Sequence, residues 1–142
     1  MEMNINYMAI LVTVVANFVL GFIWYTPLFG KRWAKENNFD ITRKPTSAEL
    51  GKGMTFMVIG NFFMAYVFAH NIAAWSFVPG TNEAGPAANI ISASVFTWLG
   101  FYFPVDLGTV AWERKSWTLF FINTSYHLVT LLLAASILTY MN

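Results

Sequence analysis

Four stretches of this chain, residues 5–25, 50–75, 88–112 and 117–140, are each twenty residues or longer and overwhelmingly apolar. In a helix that rises 1.5 Å per residue, about 20 such residues cross the ~30 Å of hydrocarbon in a bilayer. The runs lack the alternation of a barrel strand. A backbone amide in lipid finds no water, so each segment must satisfy its own hydrogen bonds, as an α-helix does. The chain is therefore predicted to be an all-α, polytopic membrane protein with four transmembrane helices in a single domain, 1–142. Composition agrees. Hydrophobic residues make up 57% and charged residues 11%, against about a quarter charged in soluble chains. A water-soluble fold of this length has too little interior to hide so much apolar surface.

The connections set the arrangement. In PTSAEL, Thr46 stands three residues before Glu49, a capping box that opens the second span. FVPGTNEAGP, between the second and third spans, is dense in turn residues. The short ERKS ties the third and fourth spans into an antiparallel hairpin, and the first two spans form another. All eight Lys and Arg fall in or beside two connections: Lys31, Arg32, Lys35, Arg43, Lys44 and Lys52 at the first, Arg114 and Lys115 at the third. Basic loops stay cytoplasmic. Loops 28–47 and 113–116 are thus predicted to face the cytoplasm, with both termini on the non-cytoplasmic side of the cell's inner membrane. The segment before the first span has Glu2 and no cation, unlike a signal peptide, so this span is expected to stay as a helix.

GFIWYTPLFGKRW, residues 21–33, then reads as the cytoplasmic end of the first span. Trp24 and Tyr25 are expected at headgroup depth, with Pro27 and Gly30 stopping the helix before Lys31 and Arg32. A fainter echo exists. LGFIWYTP closes the first span and LGFYFPVD lies near the end of the third, which suggests two parallel hairpin repeats.

Polar side chains inside the spans are the informative residues, because lipid makes them costly. Asn17 and Asn61 fall near the middle of the first two spans, Asp106 two turns from the cytoplasmic end of the third, and Asn123, Tyr126 and His127 two to three turns into the fourth. All six occupy a band from the inner third to the midplane. Asn123 and His127, four residues apart, share one side of a helix. His127 is expected inside the bundle, hydrogen-bonded to another helix, with Asn61 and Asn17 the leading partners. An Asp106–His127 dyad would need contact between the third and fourth spans. Ser92, Phe96, Gly100, Pro104 and Gly108 recur every four residues, a stripe expected to let a neighbouring helix approach closely.

No catalytic constellation emerges. The chain has no Cys, no Gly-rich phosphate loop and no HExxH, and its two His and few acids lack metal-ligand spacing. No metal and no cofactor are expected. A net charge of +1 without a basic stripe gives no reason to expect nucleic acid as a partner. The expected partners are the lipid bilayer and either further copies of the chain or another membrane protein.

GFIWYTPLFGKRW and WERKSWTLFFINTSYHLV resemble the signature segments of the "domain of unknown function 1761" family, small four-helix membrane proteins found mainly in bacteria. The residues that carry the resemblance are Trp24, Tyr25, Pro27, Phe29, Gly30, Lys31 and Trp33, then Glu113, Arg114 or Lys115, Ile122, Asn123, Tyr126 and His127. Trp98 to Phe101 of the third span also match, and Asp106 lies outside the pattern. The resemblance implies a fold and a membrane location but no activity, and it shifts weight towards Glu113, Asn123, Tyr126 and His127. Three functions stand. The first is a small transporter or channel-like subunit, and the second a non-catalytic module packed against a partner membrane protein. The third is a membrane enzyme using Glu113 or His127 on a lipid-soluble substrate.

Overall fold

The structure, a computed structural model, describes residues 3–142; Met1 and Glu2 lie outside them. Among the described residues it is helical with no strand. Helix α1 (Tyr7–Ile23) starts at Asn6, whose side chain accepts from the Ala9 amide at 3.1 Å. It widens into a π turn (Trp24–Leu28) and is followed by a short helix α2 (Gly30–Glu36). Helix α3 (Ser47–Trp75) opens on the Thr46–Glu49 capping box, with both reciprocal bonds formed. After a 3₁₀ turn (Asn82–Ala84), helix α4 (Pro86–Thr97) runs through a second π turn (Trp98–Tyr102) into α5 (Phe103–Ala111). Helix α6 (Trp117–Tyr140) is capped by the Ser116 hydroxyl. Tyr7–Leu28, Ser47–Trp75, Pro86–Ala111 and Trp117–Tyr140 are four helices long and apolar enough to cross a membrane.

Helix α6 is the hub. Helix α1 packs on one side of it and α4 with α5 on another, while α3 packs on α1 and reaches α6. The core that joins them is rich in alanine: Ala9 and Ile10 meet Ala65, Phe68 and Ala69, Ile90, and Leu131, Ala134, Ala135 and Leu138. Small side chains let backbones approach, and packing rather than water exclusion holds helices together in lipid. This core fills the half of the bundle away from the basic loops. At the basic end α3 leans off, and every residue from Ser47 to Gly60 is exposed.

Two expectations change here. Pro27 and Gly30 do not end the first span in a loop. Pro27 has no amide to donate, and the chain passes it by lengthening the bond pattern, with the Phe29 amide reaching the Trp24 carbonyl at 2.9 Å. The break falls at Phe29 (φ −119°), and α2 resumes under the bundle. There Arg32 pairs with Glu36 at 2.9 Å, and the Ser116 hydroxyl together with Arg32 holds the Glu36 carboxyl below its usual range. The first and third connections therefore meet at one end.

The small-residue stripe is the second change. Ser92, Phe96, Gly100 and Pro104 are exposed and Gly108 half-buried. A methyl group added at Gly100 or Gly108 would meet nothing within 4 Å. The close contact expected there does not occur within the fold. The bundle-facing residues are Ile90, Ser94, Trp98, Tyr102 and Asp106, offset by two positions and so almost on the opposite side of the helix.

Candidate functional site

Both π turns aim a tryptophan at α6. The Trp24 indole donates to the Ile122 carbonyl at 3.0 Å, and the Trp98 indole to the Thr124 carbonyl at 2.9 Å. The first and third spans thus grip the same stretch of α6 from two sides. Trp24 and Tyr25 are half-buried and turned onto α6, with the Tyr25 hydroxyl donating to Asn123 Oδ1 at 2.9 Å. Here the sequence echo has a structural counterpart, because each span widens into a π turn near a proline, and the tryptophans of the two turns bond to neighbouring residues of α6. The repeat is incomplete: α3 is peripheral where α6 is central.

The second π turn also sets the phase of Asp106. A bundle-facing residue every four positions drifts by about 40° per step in a regular α-helix. From Ile90 to Asp106 that drift would carry the carboxylate round to the outer face. A π turn takes more residues per turn and restores the phase. Asp106 is buried as a result, while its neighbour Val105 is 70% exposed.

Asp106 meets His127. The carboxylate Oδ2 lies 2.8 Å from Nδ1 of the imidazole, with side-chain exposures of 10% and 27%. Asn61 and Asn17, the expected partners, do not fill this role. An ionised carboxylate only accepts, so in this contact Nδ1–H is the donor and Nε2 lies outside it. Aromatic rings enclose the pair. Tyr102 lies 4.8 Å from the imidazole and Tyr126 5.8 Å, Tyr25 stands 4.9 Å from Tyr126, and Trp33 of α2 packs edge-on against Tyr25 at 5.7 Å.

Of the sequence candidates, Asp106, His127, Tyr126, Asn123, Tyr25 and Trp24 come together at one level. Asn17 is fully buried one turn further from the basic end, with neither amide atom hydrogen-bonded. Asn61 is half-buried on α3, and Glu113 is exposed in the turn before α6. Sequence reasoning named Trp33 and Trp98 only as carriers of the family resemblance, and it did not single out Tyr102. The recurrence of Ile90, Ser94, Trp98, Tyr102 and Asp106, interrupted by Pro104, was the available signal for Trp98 and Tyr102. Among the described residues no three His, Cys, Asp or Glu side chains could hold a metal together.

Comparison with known proteins finds similarity to a curated protein. Over 69 residues, 49% of this chain, it is 30% identical to the tRNA-2-methylthio-N(6)-dimethylallyladenosine synthase of Mycobacterium avium (strain 104). The chain spans about a tenth of that protein's length, 9%. No solved structure matches. The family model described as "Protein of unknown function (DUF1761)" matches residues 8–139, almost the whole chain, and the protein belongs to that family.

Proposed function

We propose that this integral membrane protein is a small transporter or channel-like subunit whose Asp106–His127 pair takes up and releases a proton. The observation that carries the reading is the 2.8 Å contact between two ionisable side chains inside different spans. A carboxylate within a span costs about 2.5–3.5 kcal/mol on insertion scales, and such groups mark ion and proton pathways. Structural glue needs no titratable pair, since amides and hydroxyls join helices at lower cost.

The basic end faces the cytoplasm in this reading, because all eight Lys and Arg gather there. Towards that end the Ser47–Gly60 half of α3 is exposed, and the alanine-rich core fills the opposite half. Passage of a substrate then requires a second arrangement of the helices or a pathway between subunits. One observation favours a partner-binding module as the second reading: the outward stripe of Ser92, Gly100 and Pro104 leaves room for a foreign helix.

The test is proton flux into liposomes that hold the purified protein and a pH-sensitive dye. Wild type should dissipate an imposed proton gradient, whereas His127→Gln and Asp106→Asn should fold and leave it standing. No flux in wild type, or equal flux in all three, refutes the reading.

A further inference from the structure

An open groove of about 290 Å³ is lined by Phe18 of α1 and by Met54, Thr55, Val58 and Ile59 of α3. Its lining is apolar but for one hydroxyl. That hydroxyl, on Thr55, donates to the Gly51 carbonyl at 2.8 Å and is satisfied within its own helix. Gly51 continues the line of Thr55 and Val58 towards the basic end. A Cβ at Gly51 would meet nothing within 4 Å, so the α3 wall falls away at that end.

Lys52 flanks the same end. It stands three residues before Thr55 and seven before Ile59, a spacing that keeps side chains on one side of a helix. It is exposed, and no Asp, Glu, Lys or Arg follows it in α3. The acid nearest in sequence is engaged elsewhere, since Glu49 pairs with Arg43 at 2.7 Å and accepts from the Thr46 amide at 2.8 Å. Among the described residues Lys52 forms no ion pair, and its ammonium rests 5.7 Å from the centre of the Phe56 ring. A cation at the edge of the hydrocarbon, held over an apolar ring, lacks a counter-charge.

We infer that the groove seats an acyl chain of one anionic phospholipid from the leaflet at the basic end, with the lipid phosphate at Lys52. The two parts of the site select the two parts of the ligand. The groove accepts an apolar chain, and Lys52 attracts an anion. From Lys52 to Ile59 the helix rises about 10 Å, within the ~15 Å of hydrocarbon in one leaflet, so head and chain fall at the depths a phospholipid gives them. A second copy of the chain is the poorer occupant, because a two-fold contact along the groove would bring two Lys52 cations into one interface. The lipid site does not depend on proton flux.

Methyl NMR of the full chain in neutral detergent tests it, with one equivalent of phosphatidylglycerol carrying a nitroxide on its acyl chain. Val105 is 70% exposed and Val58 43%, so unselective contact broadens Val105 at least as much as Val58. A seated chain should instead broaden Val58 and Ile59 first. In native mass spectrometry wild type should retain phosphatidylglycerol over phosphatidylcholine about fivefold, the ratio one lysine near a membrane surface supports. Lys52→Gln should retain the two lipids equally, and Lys44→Gln should keep the preference. Val105 broadened as much as Val58 in wild type overturns the inference, a result that needs no variant to fold. A preference that survives Lys52→Gln, or that Lys44→Gln removes equally, also overturns it. So does a lipid-free dimer that Val58→Trp returns to monomer, because a second copy would then fill the groove.

Discussion

Gly30→Ala is a small substitution with a large expected consequence. A Cβ at Gly30 would lie 2.6 Å from the backbone carbonyl oxygen of Tyr25 and 3.1 Å from its carbon. Neither atom is the loose end of a side chain, so the π turn itself must open until the first distance exceeds 3.0 Å. Overpacking of this kind costs about 1–3 kcal/mol, or roughly 3–10 °C in melting temperature at this chain length. The displaced residue is Tyr25, whose hydroxyl bonds to Asn123. That bond contributes about 1 kcal/mol on its own. The assay is thermal unfolding in detergent, run as a cycle with Tyr25→Phe and with Gly60→Ala as control. Gly60 has open space around it, so alanine there should stabilise by up to about 1 kcal/mol. In wild type Tyr25→Phe should cost about 1 kcal/mol, and in the Gly30→Ala background close to nothing, because contacting residues are not additive. A Gly30→Ala protein that melts at or above wild type would refute the close approach of α2 to the π turn.

Reporter fusions after Asn142 and within the turn around Gly80 should register the outside, and fusions near Asn38 the inside; a cytoplasmic C-terminus would contradict the orientation. Gly100→Leu should leave the unfolding free energy of the monomer within about 0.5 kcal/mol of wild type, as for surface changes; a large loss in dilute detergent would show that the stripe is packed. The depressed Glu36 carboxyl stabilises the fold above its ordinary value of 4.5, and this contribution is lost as pH falls through the lower folded value. Amide exchange in α2 should therefore rise on acidification below that point in wild type, and Glu36→Gln should flatten the response.

Much of the fold is legible because lipid imposes simple rules. Four apolar runs give four helices, and Thr46 with Glu49 marks the start of α3 without ambiguity. The depth of Asp106 and His127 follows from counting residues. Their pairing does not, because it depends on rotation about the helix axis. Over the sixteen residues from Ile90 to Asp106 a regular helix and one with a π turn point the carboxylate in different directions. Pro104 signals a disturbance but not whether the helix will kink, stop or widen. The four-residue repeat through Gly100 and the one through Trp98 are equally regular in sequence, and only packing shows which faces α6. Gly30 reads as a helix stop, yet its role is to admit the Tyr25 carbonyl.

Asp106 and His127 touch across two helices inside the membrane. Solid-state NMR on bilayer samples labelled with ¹⁵N-histidine and ¹³C-aspartate can observe that contact directly. The described residues hold two histidines, and His70 places its Nδ1 2.8 Å from the Tyr66 carbonyl of its own helix. A through-space correlation is expected between one histidine Nδ1 and one aspartate carboxyl carbon, lost in both Asp106→Asn and His127→Gln. A wild-type sample without that correlation, or an Asp106→Asn sample that keeps it, would show that the two side chains do not meet.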